Sequence, residues 1–154
     1  MTRKRQRRRL GDVVQISLGD GRVGFGRVLE SPLVAFYDLC SSEVPPLDVI
    51  VASPIAFKVW VMNYAIKDGD WPVIGNMPLA DDLLERPRFY KQDPISKELS
   101  IYLGAGKEIP ATMDEIEGLE CAAVWEPEHA VDRLLDHLAG RENKWVESMR
   151  PTPR

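Results

Sequence analysis

The sequence predicts an α+β domain: a strongly twisted antiparallel β-sheet, or a small partial barrel, with a C-terminal amphipathic helix packed on it. Three observations lead there. Apolar and polar residues alternate with period two near the start of the chain. Glycine-rich and Asp-Gly segments separate the apolar runs at hairpin spacing. One stripe of helical period stands near the end.

The first strand follows Gly11-Asp12, where Val14, Ile16 and Leu18 alternate with Gln15 and Ser17. Gly19-Asp20-Gly21-Arg22 accepts positive φ, and Val23, Phe25 and Val28 resume beyond it, which completes a β-hairpin. Gly24 and Gly26 inside the returning strand predict a bulge or sharp coiling. A third strand, Leu33-Val34-Ala35-Phe36-Tyr37, is bounded by Pro32 and by a loop that ends at Pro45-Pro46. Residues 55–66 are β-branched and aromatic on both faces and predict the longest, central strand. Asp68-Gly69 then turns the chain into a second hairpin. Its short strand, Trp71-Pro72-Val73-Ile74-Gly75, is confined by Pro72 to an edge or a strand start.

Phe89-Tyr90-Lys91-Gln92 and residues 98–103 form a third hairpin around the turn Asp93-Pro94-Ile95-Ser96-Lys97. Thr112 and Glu115 make a capping box that opens a short helix over residues 113–118. Pro127 suits the first position of a longer helix, in which Val131, Leu134, Leu135 and Leu138 form one stripe before Gly140. A chain of 154 residues is large enough for one hydrophobic core without staples. Residues 1–10 read as a basic, disordered arm, residues 11–150 as a single domain and residues 151–154 as a frayed tail.

Charge is segregated. The net charge is −4, and Arg3, Lys4, Arg5, Arg7, Arg8 and Arg9 supply six positive charges. Residues 10–154 therefore carry −10, the overall charge less that of the arm. Such a body repels phosphate backbones and favours encounter with basic proteins, so specific nucleic-acid binding is not expected. The arm could hold nucleic acid only non-specifically, and the bland reading of the whole pattern is solubility. No apolar run approaches the roughly 20 residues of a membrane span, and no signal-peptide core follows the basic start, so the expected compartment is the cytoplasm. Cys40 and Cys121, far apart and in no Cys-x-x-Cys arrangement, are expected to be free thiols.

The motifs that carry chemistry give little. Gly19-x-Gly21-x-x-Gly24 has the spacing of a dinucleotide fingerprint, but a strand follows it where that fingerprint requires a helix. Gly104-Ala105-Gly106-Lys107 lacks the full P-loop spacing and its Ser or Thr. His129 and His137, about 12 Å apart by helical rise, are too distant to grip one metal. Glu126, Glu128 and Asp132 could hold a hard cation, yet acidic residues at a helix start favour the dipole without one. No nucleophile elbow or oxyanion motif flanks Cys121. No catalytic residue, cofactor or metal is expected. Trp60, Trp71, Trp125 and Trp145 are open to a binding role, although core packing is their ordinary use. The residues expected to meet a partner are an exposed Trp71, beside Asp-Gly, with Asp68, Asp70 and Asp93 as acidic neighbours.

These stretches resemble the immunity protein 26 family, antitoxins found beside bacterial polymorphic toxins. The resemblance is carried by Gly11-Asp12-Val13-Val14-Gln15-Ile16, Gly21-Arg22-Val23-Gly24-Phe25-Gly26-Arg27-Val28, Phe57-Lys58-Val59-Trp60, Trp71-Pro72-Val73-Ile74-Gly75 and Phe89-Tyr90-Lys91-Gln92-Asp93. It covers about residues 11–95, and Ala123-Val124-Trp125-Glu126-Pro127-Glu128-His129 looks like the extended C-terminal part of a subset of the family. The resemblance implies a cytoplasmic inhibitor that binds a cognate toxin, one with a basic surface to match the acidic body. It supplies no catalytic residues to carry over, and the basic arm is no part of its pattern. The same family label is shared with a small phosphotriesterase, which implies a second reading, hydrolysis of organophosphate triesters. Such enzymes activate water on metals held by several histidines, so with two histidines this chain would need a carboxylate-based site.

Overall fold

A computed structural model describes residues 4–153. The chain runs β1 (Asp12–Ser17), β2 (Val23–Val28), β3 (Leu33–Ser41), α1 (Leu47–Val51), β4 (Ile55–Val61), α2 (Tyr64–Lys67), β5 (Val73–Asn76), α3 (Asp81–Leu84), β6 (Phe89–Gln92), β7 (Leu99–Gly104), β8 (Lys107–Ala111), β9 (Glu120–Cys121), β10 (Val124–Trp125), α4 (Pro127–Ala139) and α5 (Lys144–Ser148). The strands form two sheets, ordered β10-β4-β3-β2-β1-β5 and β8-β7-β6-β9.

The α+β class holds, with two corrections. The strands divide between two open sheets and do not close into a barrel, and each sheet is mixed, because β10 runs parallel to β4 and β9 parallel to β6. The β1–β2 and β6–β7 hairpins form as the sequence predicts. An irregularity does fall at Gly24 and Gly26, but they pair with Cys40 and Phe36, so the extra residues lie on β3 and not on the glycine strand.

Those glycines face the helix that covers the six-stranded sheet. A Cβ on Gly24 would lie 2.9 Å from Leu134 Cδ2, so the missing side chain lets α4 settle directly over the bulge. Pro127 opens α4 and Gly140, at φ +70°, closes it, with the N–H groups of Gly140 and Arg141 donating to the carbonyls of His137 and Asp136. Ala130 and Leu134 are fully buried, over Val14, Ile16, Val28, Val34 and Phe36.

Three expectations of local structure fail for identifiable reasons. The strand predicted over residues 55–66 ends at Val61, and α2 follows, with the N–H groups of Ile66 and Lys67 donating to the Asn63 carbonyl. Ala65 and Ile66 are buried by this turn, and an apolar run on both faces reads the same whether strand or helix. The strand after Asp68-Gly69 does sit at a sheet edge, but it pairs with β1 and not with β4, so the hairpin predicted at Asp68-Gly69 does not form. The capping box makes both reciprocal bonds, Glu115 N–H to Thr112 Oγ1 at 3.3 Å and Thr112 N–H to Glu115 Oε1 at 3.0 Å. Residues 113–118 nevertheless form only turns, since Gly118 at φ +80° ends the segment before a helix repays its nucleation cost.

The opposite face of the six-stranded sheet carries Val13, Phe25 and Tyr37 under Ile50 of α1. On the same side of β2 as Phe25 lies Arg27, which is 1% exposed. Its Nε donates to the Gly11 carbonyl at 2.8 Å, Nη1 to the Tyr37 hydroxyl at 3.1 Å, and Nη2 to the Met77 and Pro78 carbonyls. Burying a cation costs several kcal/mol. Four bonds to a charged donor, at about 1.5–3 kcal/mol each, outweigh that cost.

The ends of the described chain are tied down. Gln6 N–H donates to the Lys67 carbonyl, Arg8 donates to the Leu29 and Leu33 carbonyls at 2.7 Å each, and Gln92 exchanges two hydrogen bonds with the backbone of Thr152. These bonds belong to stretches expected as a loose arm and a frayed tail; residues 1–3 and 154 lie outside the described residues.

Arg27→Met should lower the unfolding free energy by about 3 kcal/mol, because it removes the four guanidinium bonds and leaves the buried Tyr37 hydroxyl and the partly buried Met77 carbonyl without their donor. Urea denaturation reads this as a lower midpoint at unchanged slope.

Candidate functional site

The two sheets meet where Trp60 of β4 packs against β6 and β7. The Trp60 ring lies 4.3 Å from that of Phe89 and 5.6 Å from that of Tyr102, the latter edge-on at 89°. Phe89 is buried, whereas Trp60 and Tyr102 are half-buried, so this seam presents aromatic surface to solvent. A cavity of about 310 Å³ opens beside it, lined by Pro32, Trp60, Pro87, Phe89 and Tyr102, with the exposed Arg86–Glu30 pair on its rim at 2.8 Å.

Strand register extends the face. Trp60 pairs with Leu33 on one side and with Val124 on the other, so Val124, 51% exposed, projects beside the indole. Two residues beyond Trp60, Met62 donates its N–H to the Trp125 carbonyl and leaves its side chain exposed. Tyr64 opens α2 next to it and donates its hydroxyl to Glu126 Oε2 at 2.8 Å. That carboxylate bond, with smaller contributions from burial and from the charges of Glu126, Glu128 and Asp70, pushes the Tyr64 phenol up to about 12. The face is thus apolar and aromatic along β4 and β10 and acidic at the α2 and α4 end.

The sequence-predicted partner residues are divided by the fold. Asp70 lies within electrostatic reach of Tyr64, and exposed Asp68 caps α2, donating its N–H to the Tyr64 carbonyl. Trp71 is not exposed as expected: it is 4% exposed and packs edge-on against Phe36 at 5.7 Å, inside the core under α4. Asp93 sits in the other sheet, at the β6–β7 turn. Its Oδ1 accepts from the N–H groups of Ser96 and Ile95, which hold its carboxyl below the usual carboxylate range. Of the other tryptophans, Trp125 is buried and Trp145 stacks on His129 at 3.7 Å. Trp60, named with the other tryptophans as open to a binding role but passed over for Trp71, is the one at the seam; the apolar run over residues 55–66 reads as a central strand covered on both faces. The signal lay in Asn63, where the strand has already stopped.

The histidine and cysteine candidates assemble no further site. His137 faces Asp38 at 3.6 Å, and Cys40 and Cys121 are free thiols, the latter pushed up by burial. Among the described residues no three His, Cys, Asp or Glu side chains converge as a metal site, and no helix is long and apolar enough to cross a membrane.

Fold and surface together define an α+β domain of two mixed sheets that gathers exposed aromatic and acidic side chains at the end of their seam. The model of the family Immunity protein 26 matches residues 9–101, and the chain belongs to that family. No curated protein and no solved structure matches it. The matched region holds Trp60, Tyr64, Arg86 and Phe89 and stops before Val124 and Glu126.

The Tyr64–Glu126 bond can be read optically. The raised phenol means that the contribution of the bond is complete below about pH 10 and is lost as pH rises through about 12. In an absorbance titration of the four tyrosines, Tyr64 should ionise late together with Tyr90, which burial also pushes up to about 12. Glu126→Gln should return Tyr64 toward about 10 and leave Tyr90 in place.

Proposed function

We propose that the chain is an immunity protein of a bacterial polymorphic toxin system, which binds its cognate toxin stoichiometrically in the cytoplasm and blocks it. Family membership supports an immunity role. The observation that carries the mode of action is the seam face, where Trp60, Tyr102 and Arg86 surround a cavity of about 310 Å³. Trp, Tyr and Arg are the residues most enriched in binding hot spots, which favour such partly enclosed pockets.

The acidic end of the face sets the kind of partner. Glu126, Glu128 and Asp70 around Tyr64, with Asp68 one helical turn on, favour a toxin surface rich in lysine and arginine. On this reading the charges accelerate encounter and the aromatic seam slows release. Trp71 serves as the support beneath α2 and β5, and Asp93 keeps the β6–β7 turn.

The test is titration of the purified protein into the toxin encoded beside it, with complex stoichiometry and residual toxin activity measured together. An equimolar complex that abolishes toxicity is expected. Trp60→Ala should weaken binding about 30-fold, the loss of a hot spot worth about 2 kcal/mol, mainly through faster release. Glu126→Gln with Glu128→Gln should slow association and flatten its salt dependence. Full toxin activity in the presence of excess protein would end the proposal.

A further inference from the structure

Apart from the seam, residues 4–9 carry a charged feature that the fold does not consume. Their burial alternates with the two-residue period of extended chain: Gln6 and Arg8 are half-buried, whereas Arg5, Arg7 and Arg9 are exposed. The inward pair pins the segment. The Gln6 side-chain amide donates to the Trp71 carbonyl at 2.7 Å and accepts from Val73 N–H at 3.1 Å, and Arg8 bridges the Leu29 and Leu33 carbonyls. Gly69, at φ +84°, adds a third point, since a Cβ there would lie 2.2 Å from the Lys4 carbonyl oxygen that passes over it.

The outward row is unmatched. Arg22, Arg86, Arg133, Arg141 and Arg150 each pair with a carboxylate. The chain also holds 24 acidic residues against 20 basic ones, so carboxylates are not scarce. Yet among the described residues the guanidinium groups of Arg5, Arg7 and Arg9 make no ion pair or hydrogen bond. At about 3.3 Å per residue they span roughly 13 Å on one side of a fixed backbone. Nearly all of the row precedes residues 9–101, so the surface shared by the family does not include it.

We infer that residues 4–9 form a strip that binds the phosphate backbone of nucleic acid without reading base sequence. Guanidinium forks match phosphate oxygens, and their ordering cost is already met by the pinned backbone. The strip offers cations and no further groups to contact base edges, so it positions without specifying. The acidic groups nearest the row, Asp68 and Asp70 on either side of Gly69 and Asp12 beside Arg9, oppose such binding, whereas charges more than about 10 Å away are screened at about 0.1 M salt. A membrane surface fits less well, because among described residues 4–10 Leu10 is the one exposed apolar side chain, and a single small anchor holds weakly.

Fluorescence anisotropy of the full chain with a labelled single-stranded oligonucleotide tests this directly. With Lys4, Arg5, Arg7 and Arg9 engaged, the log–log salt slope should be about −2.8, so that affinity falls about 50-fold between about 50 and 200 mM salt. Arg5→Gln, Arg7→Gln and Arg9→Gln together should reduce the slope to about −0.7 without changing thermal stability, since these exposed side chains make no hydrogen bond or ion pair among the described residues. Gln6→Ala, which alters no charge, should keep the slope and weaken binding about 3-fold by loosening the row. Absence of binding at about 50 mM salt, a slope unchanged in the triple variant, or tighter binding to phosphatidylserine vesicles than to the oligonucleotide would overturn the inference. Full affinity in Gln6→Ala would overturn the pinned geometry.

Discussion

The guanidinium of Arg27 is the fixed point of the six-stranded sheet. Among the described residues it has no carboxylate partner, so its charge is held by oriented backbone carbonyls and one phenol, contributed by Gly11 just before β1, by β3 and by the residues after β5. Those segments lie 16, 10 and about 50 positions away in the chain. Without Arg27 the Tyr37 hydroxyl and the partly buried Met77 carbonyl would lose their donor and the Gly11 carbonyl would keep only the Met77 N–H at 3.2 Å, so the site is balanced only when every segment is present together. That reciprocity fixes where the chain leaves β5 toward α3 and the second sheet.

A second arginine sets how the second sheet is held. Arg133 of α4 makes a two-pronged bond to Glu120 of β9, both contacts at 2.7 Å, while its guanidinium lies 4.1 Å above the Phe57 ring and 5.2 Å from that of Trp125. One side chain therefore touches α4, the six-stranded sheet and the four-stranded sheet. Apolar packing of Trp60 on Phe89 and Tyr102 forms another part of the same seam. Directional bonds at Glu120 and ring contacts at Trp60 together oppose sliding between the sheets and hold the exposed face in place.

The face and the arm illustrate how burial redistributes residues of like composition. Four tryptophans look alike as candidates for an interface, yet Trp71 and Trp125 are enclosed by α4 and its sheet while Trp60 stands at a boundary between sheets. The basic residues of the arm read as one run, yet Arg8 turns inward to two carbonyls and its neighbours turn out. In both cases the deciding contact is made by residues more than twenty positions away, to which local pattern is blind.

By itself the sequence determined what short-range physics governs. Period-two alternation with Asp and Gly turns specified the β1–β2 and β6–β7 hairpins, and Pro127 with Gly140 specified the ends of α4, because each depends on backbone conformations within a few residues. The acidic excess of residues 10–154 was legible as well, since charge is additive along a chain. Tertiary structure alone decided that the strands divide into two sheets, that β5 pairs with β1, and that β9 and β10 join as two-residue parallel strands. It alone brought Trp60, Tyr102 and Val124 to one surface and sent Trp71 inside. Those outcomes rest on contacts between distant segments, whose energies arise only once the chain has closed on itself.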